Sequence, residues 1–229
     1  MTNEILWVIF ALVNFTLFLL VYKFFGKLGI FIWIVAATIL ANIQVTKMVV
    51  LFGFDANLGN ILYGTIFLGT DVLNELFGKK EAKKAVFMGF SVMIITIITM
   101  TIALQFIPHP EDFANDSLTV IFGYLPRLLL ASLTAFLISQ FIDVNIFDKI
   151  KERLPENKFL WIRNNLSTMI SQFIDTIIFV PIAFLGEVSA ETLIGLLIST
   201  YVIKLIVAAM DTPFIYLIKK IEPIQNFNG

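Results

Sequence analysis

The feature that most constrains this chain is a succession of apolar runs, each long enough to cross a lipid bilayer. A helix needs about 20 predominantly apolar residues to cover a ~30 Å hydrocarbon core. Seven runs qualify: Ile5–Tyr22, Ile30–Phe52, Leu58–Phe77, Ala85–Ile107, Phe122–Phe147, Asn164–Leu185 and Thr192–Ile218. Backbone polar groups in lipid must be satisfied internally, which makes such runs helices. Charged residues are 14% of the 229, where a soluble domain has about 25%. The expected fold is an all-α polytopic transmembrane helix bundle, one integral membrane domain over residues 1–229. The gaps Pro108–Ile121 and Asp148–Ile162 are too short to fold alone. Leu58–Phe77 is the run most open to being broken or re-entrant, because Gly59, Gly64, Gly69, Asp71 and Glu75 interrupt it.

Charge orients the bundle. Lys23 and Lys27 follow the first run, Lys79, Lys80, Lys83 and Lys84 the third, and Lys149, Lys151, Arg153, Lys158 and Arg163 the fifth; Lys219 and Lys220 follow the seventh. These 13 of the 16 basic residues fall on one side, which the positive-inside rule makes cytoplasmic. Glu4, Asp55, Glu111, Asp112, Asp116, Glu187 and Glu191 fall on the other. The N-terminus is then outside and the C-terminus cytoplasmic, which an odd number of spans requires. The acidic start of the first run, with no small-residue cleavage site, reads as a span and not a cleaved signal peptide. A net charge of −1 points away from a nucleic-acid partner. The absence of cysteine excludes disulfides, iron–sulfur clusters and thiolate zinc sites. The single histidine, His109, lies in the loop PHPED, where it reads as a solvated residue, with a proton relay as the alternative. Pro126 is expected to open the fifth span, and Pro181 and Pro213 to kink the sixth and seventh.

Chemistry is concentrated in the polar residues inside the runs. Asn164, Thr168, Ser171 and Asp175 recur at i, i+4, i+7 and i+11, one stripe down one helix face. Asp175 lies about 17 Å into its helix at 1.5 Å per residue, close to the bilayer middle. A carboxylate there costs about 2.5–3.5 kcal/mol, so it calls for a partner or a task. Lys204, at similar depth in the next run, is a candidate partner; such a pair would either fix helix register or form a substrate or proton site. Lys204 and Asp211 are two turns apart on one face. Asp71 and Glu75, at i and i+4, form either a proton-linked gate, a receptor for a cationic group, or a cytoplasmic helix end held by Lys79 and Lys80. Lys47 and Asp143, near span ends, can snorkel to water. The pentapeptide SQFID occurs twice, at Ser139–Asp143 and Ser171–Asp175, and Ser132, Ser139 and Asp143 match Asn164, Ser171 and Asp175 at an offset of 32. The depths of Asp143 and Asp175 differ, so an inverted repeat is suggested and no more.

Enzyme readings find little support. There is no nucleotide-binding glycine loop and no HExxH, and one histidine cannot build the usual zinc site. A membrane-embedded di-aspartyl enzyme would have Asp143 and Asp175, but the GxGD motif of such proteases is absent.

Four separated segments then carry a resemblance: TDVLNELFGKKEAKKAVFMGF (Thr70–Phe90), RLLLASLTAFLISQFIDVNIF (Arg127–Phe147), RNNLSTMISQFIDTIIF (Arg163–Phe179) and YVIKLIVAAMDTPFIY (Tyr201–Tyr216). In this order they resemble the queuosine-precursor transporter family, also called vitamin-uptake-transporter-like bacterial membrane proteins. The likeness covers the chain from about Ile30 onward. Shorter members are thought to have six spans, so Ile5–Tyr22 is an extra N-terminal span here. The resemblance implies a multi-pass protein of the bacterial cell membrane that imports 7-cyano- or 7-aminomethyl-7-deazaguanine for salvage into tRNA queuosine, without a cofactor. It also implies a distant kinship with substrate-binding subunits of energy-coupling-factor importers, so a chain dependent on a separate ATPase module, or on an oligomer, is the alternative. Such a cargo suits the polar stripe. A carboxylate can accept from the N1–H and 2-amino group of a guanine-like edge together, and Asn or Gln can meet O6 and the ring nitrogens. The expected substrate site is Asp175 with Asn164, Ser171 and Gln172, and with Asp143 and Gln140 from the first SQFID copy. Asp71, Glu75, Lys204 and Asp211 are the expected gating or proton-linked residues, around a polar cavity among spans 3, 5, 6 and 7. Phe173, Phe141 or Trp33 would stack on the base.

Overall fold

A computed structural model of the chain describes residues 2–154 and 160–224. In order, the elements are α1 (Asn3–Val45), β1 (Met48–Leu51), β2 (Phe54–Asn57), α2 (Gly59–Phe77), α3 (Lys79–Ala103), α4 (Asn115–Arg153), α5 (Leu160–Phe184) and α6 (Ala190–Ile218). They fall into two compact units, one of residues 1–125 with 206–229 and one of residues 126–205. Stretches long and apolar enough to cross a membrane lie in α1, α3, α4 and α6 among the described residues.

In the first unit α1 accommodates two of the expected spans. A straight helix of its 43 residues would separate its ends by about 65 Å. Instead Asn3 Nδ2 donates to the Val50 carbonyl at 3.1 Å, and Glu4 Oε1 accepts from the Phe52 N–H at 3.1 Å. The chain doubles back at Gly26, whose φ of 55° and ψ of −136° lie in a region that side chains with a Cβ avoid. Phe18 and Trp33 then meet edge to face across the two limbs, with ring centroids 6.0 Å apart. Each limb is about 20 residues, or roughly 30 Å, a membrane thickness.

The second limb ends earlier than its apolar run. Helix stops at Val45, and the expected span end, residues 48–52, turns into a β-hairpin in which Met48 faces Asn57 and Leu51 faces Phe54. Phe52 (φ 52°) and Gly53 (φ 80°) form the two-residue turn, whose positive φ at both positions matches strand twist. The adjacent β-branched Val49 and Val50 favour the extended form. Lys47 is exposed between helix and hairpin.

α2 is one continuous helix, so its glycines do not break it. They let it approach its neighbours: Gly59 lies on Ala41 and Val45, Gly64 on Val207, and Gly69 on Ile34. The ends assigned to one side by charge meet in this unit. Lys27 Nζ pairs with Glu81 at 3.0 Å, Lys219 Nζ pairs with Glu75 at 2.7 Å, and the Ile224 N–H donates to the Lys23 carbonyl at 2.8 Å. Phe87, Ile95, Ile98 and Ile102 of α3 are each more than half exposed, a lipid-compatible surface and an improbable one for water.

α4 starts before the expected span limit at Phe122. Asp112 Oδ1 accepts from the N–H groups of Ala114 (2.9 Å) and Asn115 (3.1 Å) and nucleates the helix at Asn115. Pro126 therefore lies three turns inside a helix and not at its start, as the apolar count had implied; it marks the boundary between the units. Pro181 and Pro213 are inside α5 and α6 as expected. His109 is an exposed loop residue whose Nδ1 accepts from the Glu111 N–H at 3.2 Å.

Candidate functional site

Several polar residues of the described helices are silenced by their own backbone. Thr16, Thr38, Thr96 and Thr176 each donate to the carbonyl four residues back, and Asn14 and Asn42 do so through Nδ2. A functional group must stand out from this pattern.

In the second unit Asp175 does so. Lys204 Nζ of α6 donates to its Oδ2 at 2.5 Å, and Ser139 Oγ of α4 lies 3.4 Å from its Oδ1. The two SQFID copies thus meet through the serine of the first and the aspartate of the second. Both charged side chains are largely buried, 15% exposed for Lys204 and 20% for Asp175. Lys204 reaches the pair because helical side chains lean towards their own N-terminus, and in α6 that is the direction of the α5–α6 loop. Ser189 starts α6 by accepting the Thr192 N–H on its hydroxyl at 3.2 Å.

Around the ion pair, Ser171 is buried one turn before Asp175. Gln172 has its Oε1 buried without a hydrogen-bond partner among the described residues. Thr200, one turn before Lys204, is 1% exposed and its hydroxyl is likewise unpartnered. Thr200 was not among the sequence candidates; its only sequence signal is the i, i+4 spacing to Lys204. Phe173 packs edge to face on Tyr201 with ring centroids 5.4 Å apart. Asn164, Gln140, Asp143, Asp211 and Phe141 lie on α5, α4, α4, α6 and α4, and their side chains are outside the described residues.

The other candidates belong to the first unit. Asp71 and Glu75 are exposed on α2, and Glu75 is held by Lys219. Trp33 is engaged there as well, donating from Nε1 to Thr65 Oγ1 at 3.0 Å. One arrangement carried no role in the sequence reading. Arg127 donates from Nε to the Ile182 carbonyl at 2.7 Å, from Nη1 to Glu187 at 2.8 Å, and from Nη2 to the Leu185 carbonyl. It closes the C-terminal end of α5, where carbonyls have no intrahelical donor. No group of three His, Asp or Glu side chains that would hold a metal occurs among the described residues.

The chain matches a family described as "Putative vitamin uptake transporter" over residues 57–218. It is 47% identical over 223 residues to the "Probable queuosine precursor transporter" of Bacillus subtilis (strain 168), covering 97% of each chain. It is 29% identical over 133 residues to the protein of that name in Haemophilus influenzae, covering 58% of this chain and 54% of the other. It is 26% identical over 144 residues to the "Queuosine precursor transporter" of Escherichia coli (strain K12), covering 63% and 62%. No solved structure matches the chain. The family extends over the ion pair and its flanking residues, and the chain is thereby a membrane transporter and not an enzyme: it belongs to the queuosine precursor transporter family.

Proposed function

We propose that this protein imports a queuosine precursor, 7-cyano- or 7-aminomethyl-7-deazaguanine, across the bacterial cell membrane for salvage into tRNA queuosine, and that Asp175 reads the base. The observation that carries the site assignment is the Asp175–Lys204 pair, two opposite charges held at 2.5 Å deep in apolar helices. A guanine-like edge presents N1–H and a 2-amino group beside O6. Asp175 accepts the two donors in charge-assisted bonds, and Lys204 turns from Oδ2 to O6. Without cargo, Lys204 keeps the carboxylate from being an isolated charge in an apolar medium. Gln172 Oε1 and the Thr200 hydroxyl, buried and unpartnered among the described residues, add hydrogen-bonding capacity on α5 and α6. Ser171 completes this group, with Asn164, Gln140 and Asp143 on the same helices.

The N-terminus is outside and the C-terminus cytoplasmic in this reading, with seven spans if both limbs of α1 are counted. The meetings of Lys27 with Glu81, Lys23 with Ile224 and Glu75 with Lys219 support a common side for those ends. Glu75 and Asp71 then stand towards the cytoplasm, where the Glu75–Lys219 pair serves as an exit latch, with Asp211 a further gating residue.

The test is the queuosine content of tRNA in a bacterium lacking both synthesis and uptake of the precursor, supplied with each deazaguanine at low concentration. The wild-type chain restores queuosine, and Asp175→Asn does not, although it reaches the membrane in equal amount. Restoration by Asp175→Asn at the wild-type level refutes the site; no restoration by the wild type refutes the cargo.

A further inference from the structure

Four of the six buried polar side-chain atoms without a hydrogen-bond partner among the described residues lie far in sequence from Asp175. They are Gln44 Oε1, both Nδ2 and Oδ1 of Asn57, and Asn60 Nδ2. Asn57 and Asn60 are 1% and 4% exposed. All three residues belong to the first unit and come to one corner of it. Gln44 is in the last turn of α1, Asn57 ends β2, and Asn60 is in the first turn of α2. The corner is closed by three contacts. Met48 faces Asn57 across the hairpin, the Leu58 N–H donates to the Lys47 carbonyl at 3.2 Å, and Gly59 sits so close that a Cβ would lie 2.7 Å from the Ala41 carbonyl oxygen. The start of α2 also lacks a side-chain cap.

Burying an amide group with no partner leaves the loss of its water hydrogen bonds uncompensated. Two orphaned donors (Asn57 Nδ2, Asn60 Nδ2) and two orphaned acceptors (Asn57 Oδ1, Gln44 Oε1) in one corner are therefore expensive, and fully apolar side chains would fold this corner at lower cost. We infer that Gln44, Asn57 and Asn60 form a second solute site, made of residues other than Asp175 and its neighbours, for an uncharged heterocycle with a lactam edge. A lactam presents an N–H beside a C=O. Asn57 answers that edge in full, its Oδ1 accepting from the N–H and its Nδ2 donating to the carbonyl. Asn60 Nδ2 adds a donor, Gln44 Oε1 an acceptor, and the uncapped start of α2 a positive dipole end for the carbonyl. None of the three side chains is charged, so the site reads a neutral ligand. The hairpin that carries Asn57 is tied to the start of α1 by the exposed Asn3–Val50 and Glu4–Phe52 hydrogen bonds. In the orientation proposed above this corner is on the outer side, so the site is where cargo is first held. That last step rests on the transporter reading; the amide chemistry does not.

The experiment is equilibrium binding of 7-cyano-7-deazaguanine, and separately of guanine, to the purified full-length protein in lipid nanodiscs, together with its thermal midpoint. Wild type shows two classes of site. The double variant Asn57→Leu/Asn60→Leu loses one class, keeps the class that Asp175→Asn removes, and melts at the same or a higher temperature, since orphaned amides are replaced by apolar groups of like shape. Gln44→Met, which conserves volume, weakens the same class about fivefold. Two classes of unchanged affinity in both the double variant and Gln44→Met would overturn the inference. So would a lower thermal midpoint of the double variant, which would mean that the amides are already satisfied, or the binding of neither probe to wild type. Retention of both classes by Asp175→Asn would refute the Asp175 site alone.

Discussion

The Asp175–Lys204 pair separates structure from transport in a double-mutant cycle. Removing one partner from a fully buried pair costs about 3–5 kcal/mol, because the other charge is left uncompensated. Here 15–20% of each side chain is exposed, which gives the orphaned charge some access to polar surroundings and places the cost near 2–3 kcal/mol. At about 2–4 °C per kcal/mol for a chain of this size, Asp175→Asn and Lys204→Met should each lower the thermal midpoint by roughly 5–10 °C. The double variant Asp175→Asn/Lys204→Met carries no charge at either position and should regain most of that loss, so the single effects should be strongly non-additive. Uptake should behave differently. The carboxylate accepts charge-assisted hydrogen bonds from the base, each of about 1.5–3 kcal/mol, so its loss weakens binding about tenfold or more whether or not Lys204 is present. Thermal midpoints of the four proteins without ligand, and uptake of labelled 7-cyano-7-deazaguanine at matched membrane levels, decide the matter. A double variant that regains both stability and uptake refutes the reasoning, since the pair would then only fix helix register. Single variants as stable as wild type refute the burial estimate.

Four further outcomes follow from the geometry. Gly26→Ala should lower stability by about 1–3 kcal/mol, because only glycine takes φ 55° and ψ −136° without strain; an unchanged thermal midpoint would contradict the fold-back of α1. Gly59→Ala should cost about 1–3 kcal/mol through overpacking against Ala41 and Val45, read by the same measurement. Arg127→Lys should lower the thermal midpoint although charge is kept, because an ammonium cannot reproduce the fork that reaches Ile182, Leu185 and Glu187 together. Glu75→Gln should leave the midpoint unchanged, since its pair with Lys219 is exposed, but should alter the maximal rate of uptake and not its KM if the pair latches an exit.

Much of the helical architecture was legible because length and apolarity are what a bilayer demands. The fold-back of α1 was legible for a related reason: Lys23, Gly26 and Lys27 interrupt the apolar sequence at the point where the chain turns. The hairpin was not. Val49–Phe52 adds to an apolar count whether it is helix or strand, and the deciding information is the positive φ of Phe52 and Gly53. The start of α4 was hidden for the opposite reason. Asn115–Thr119 is polar and contributes nothing to an apolar run, yet the Asp112 carboxylate begins the helix there.

The candidate site shows a sharper limit. The SQFID copies are identical in five residues, and composition cannot say which aspartate matters. Depth within the run can: Asp175 is mid-helix, and that is where Lys204 finds it. Depth is a one-dimensional quantity, however, and it cannot report that the serine of one copy approaches the aspartate of the other, because that requires the relative rotation of α4 and α5. Thr200 shows the same restriction more plainly. A threonine in an apolar helix is ordinarily silenced by the carbonyl four residues back, as Thr176 is by Gln172. Only side-chain geometry distinguishes the one that keeps its hydroxyl uncommitted, and Thr200→Val is therefore the substitution that tests whether such a hydroxyl contributes: it preserves shape and removes an orphaned group. Stability should hold or rise. Weaker uptake together with unchanged stability would place Thr200 against the cargo, whereas unchanged uptake would return it to the scaffold.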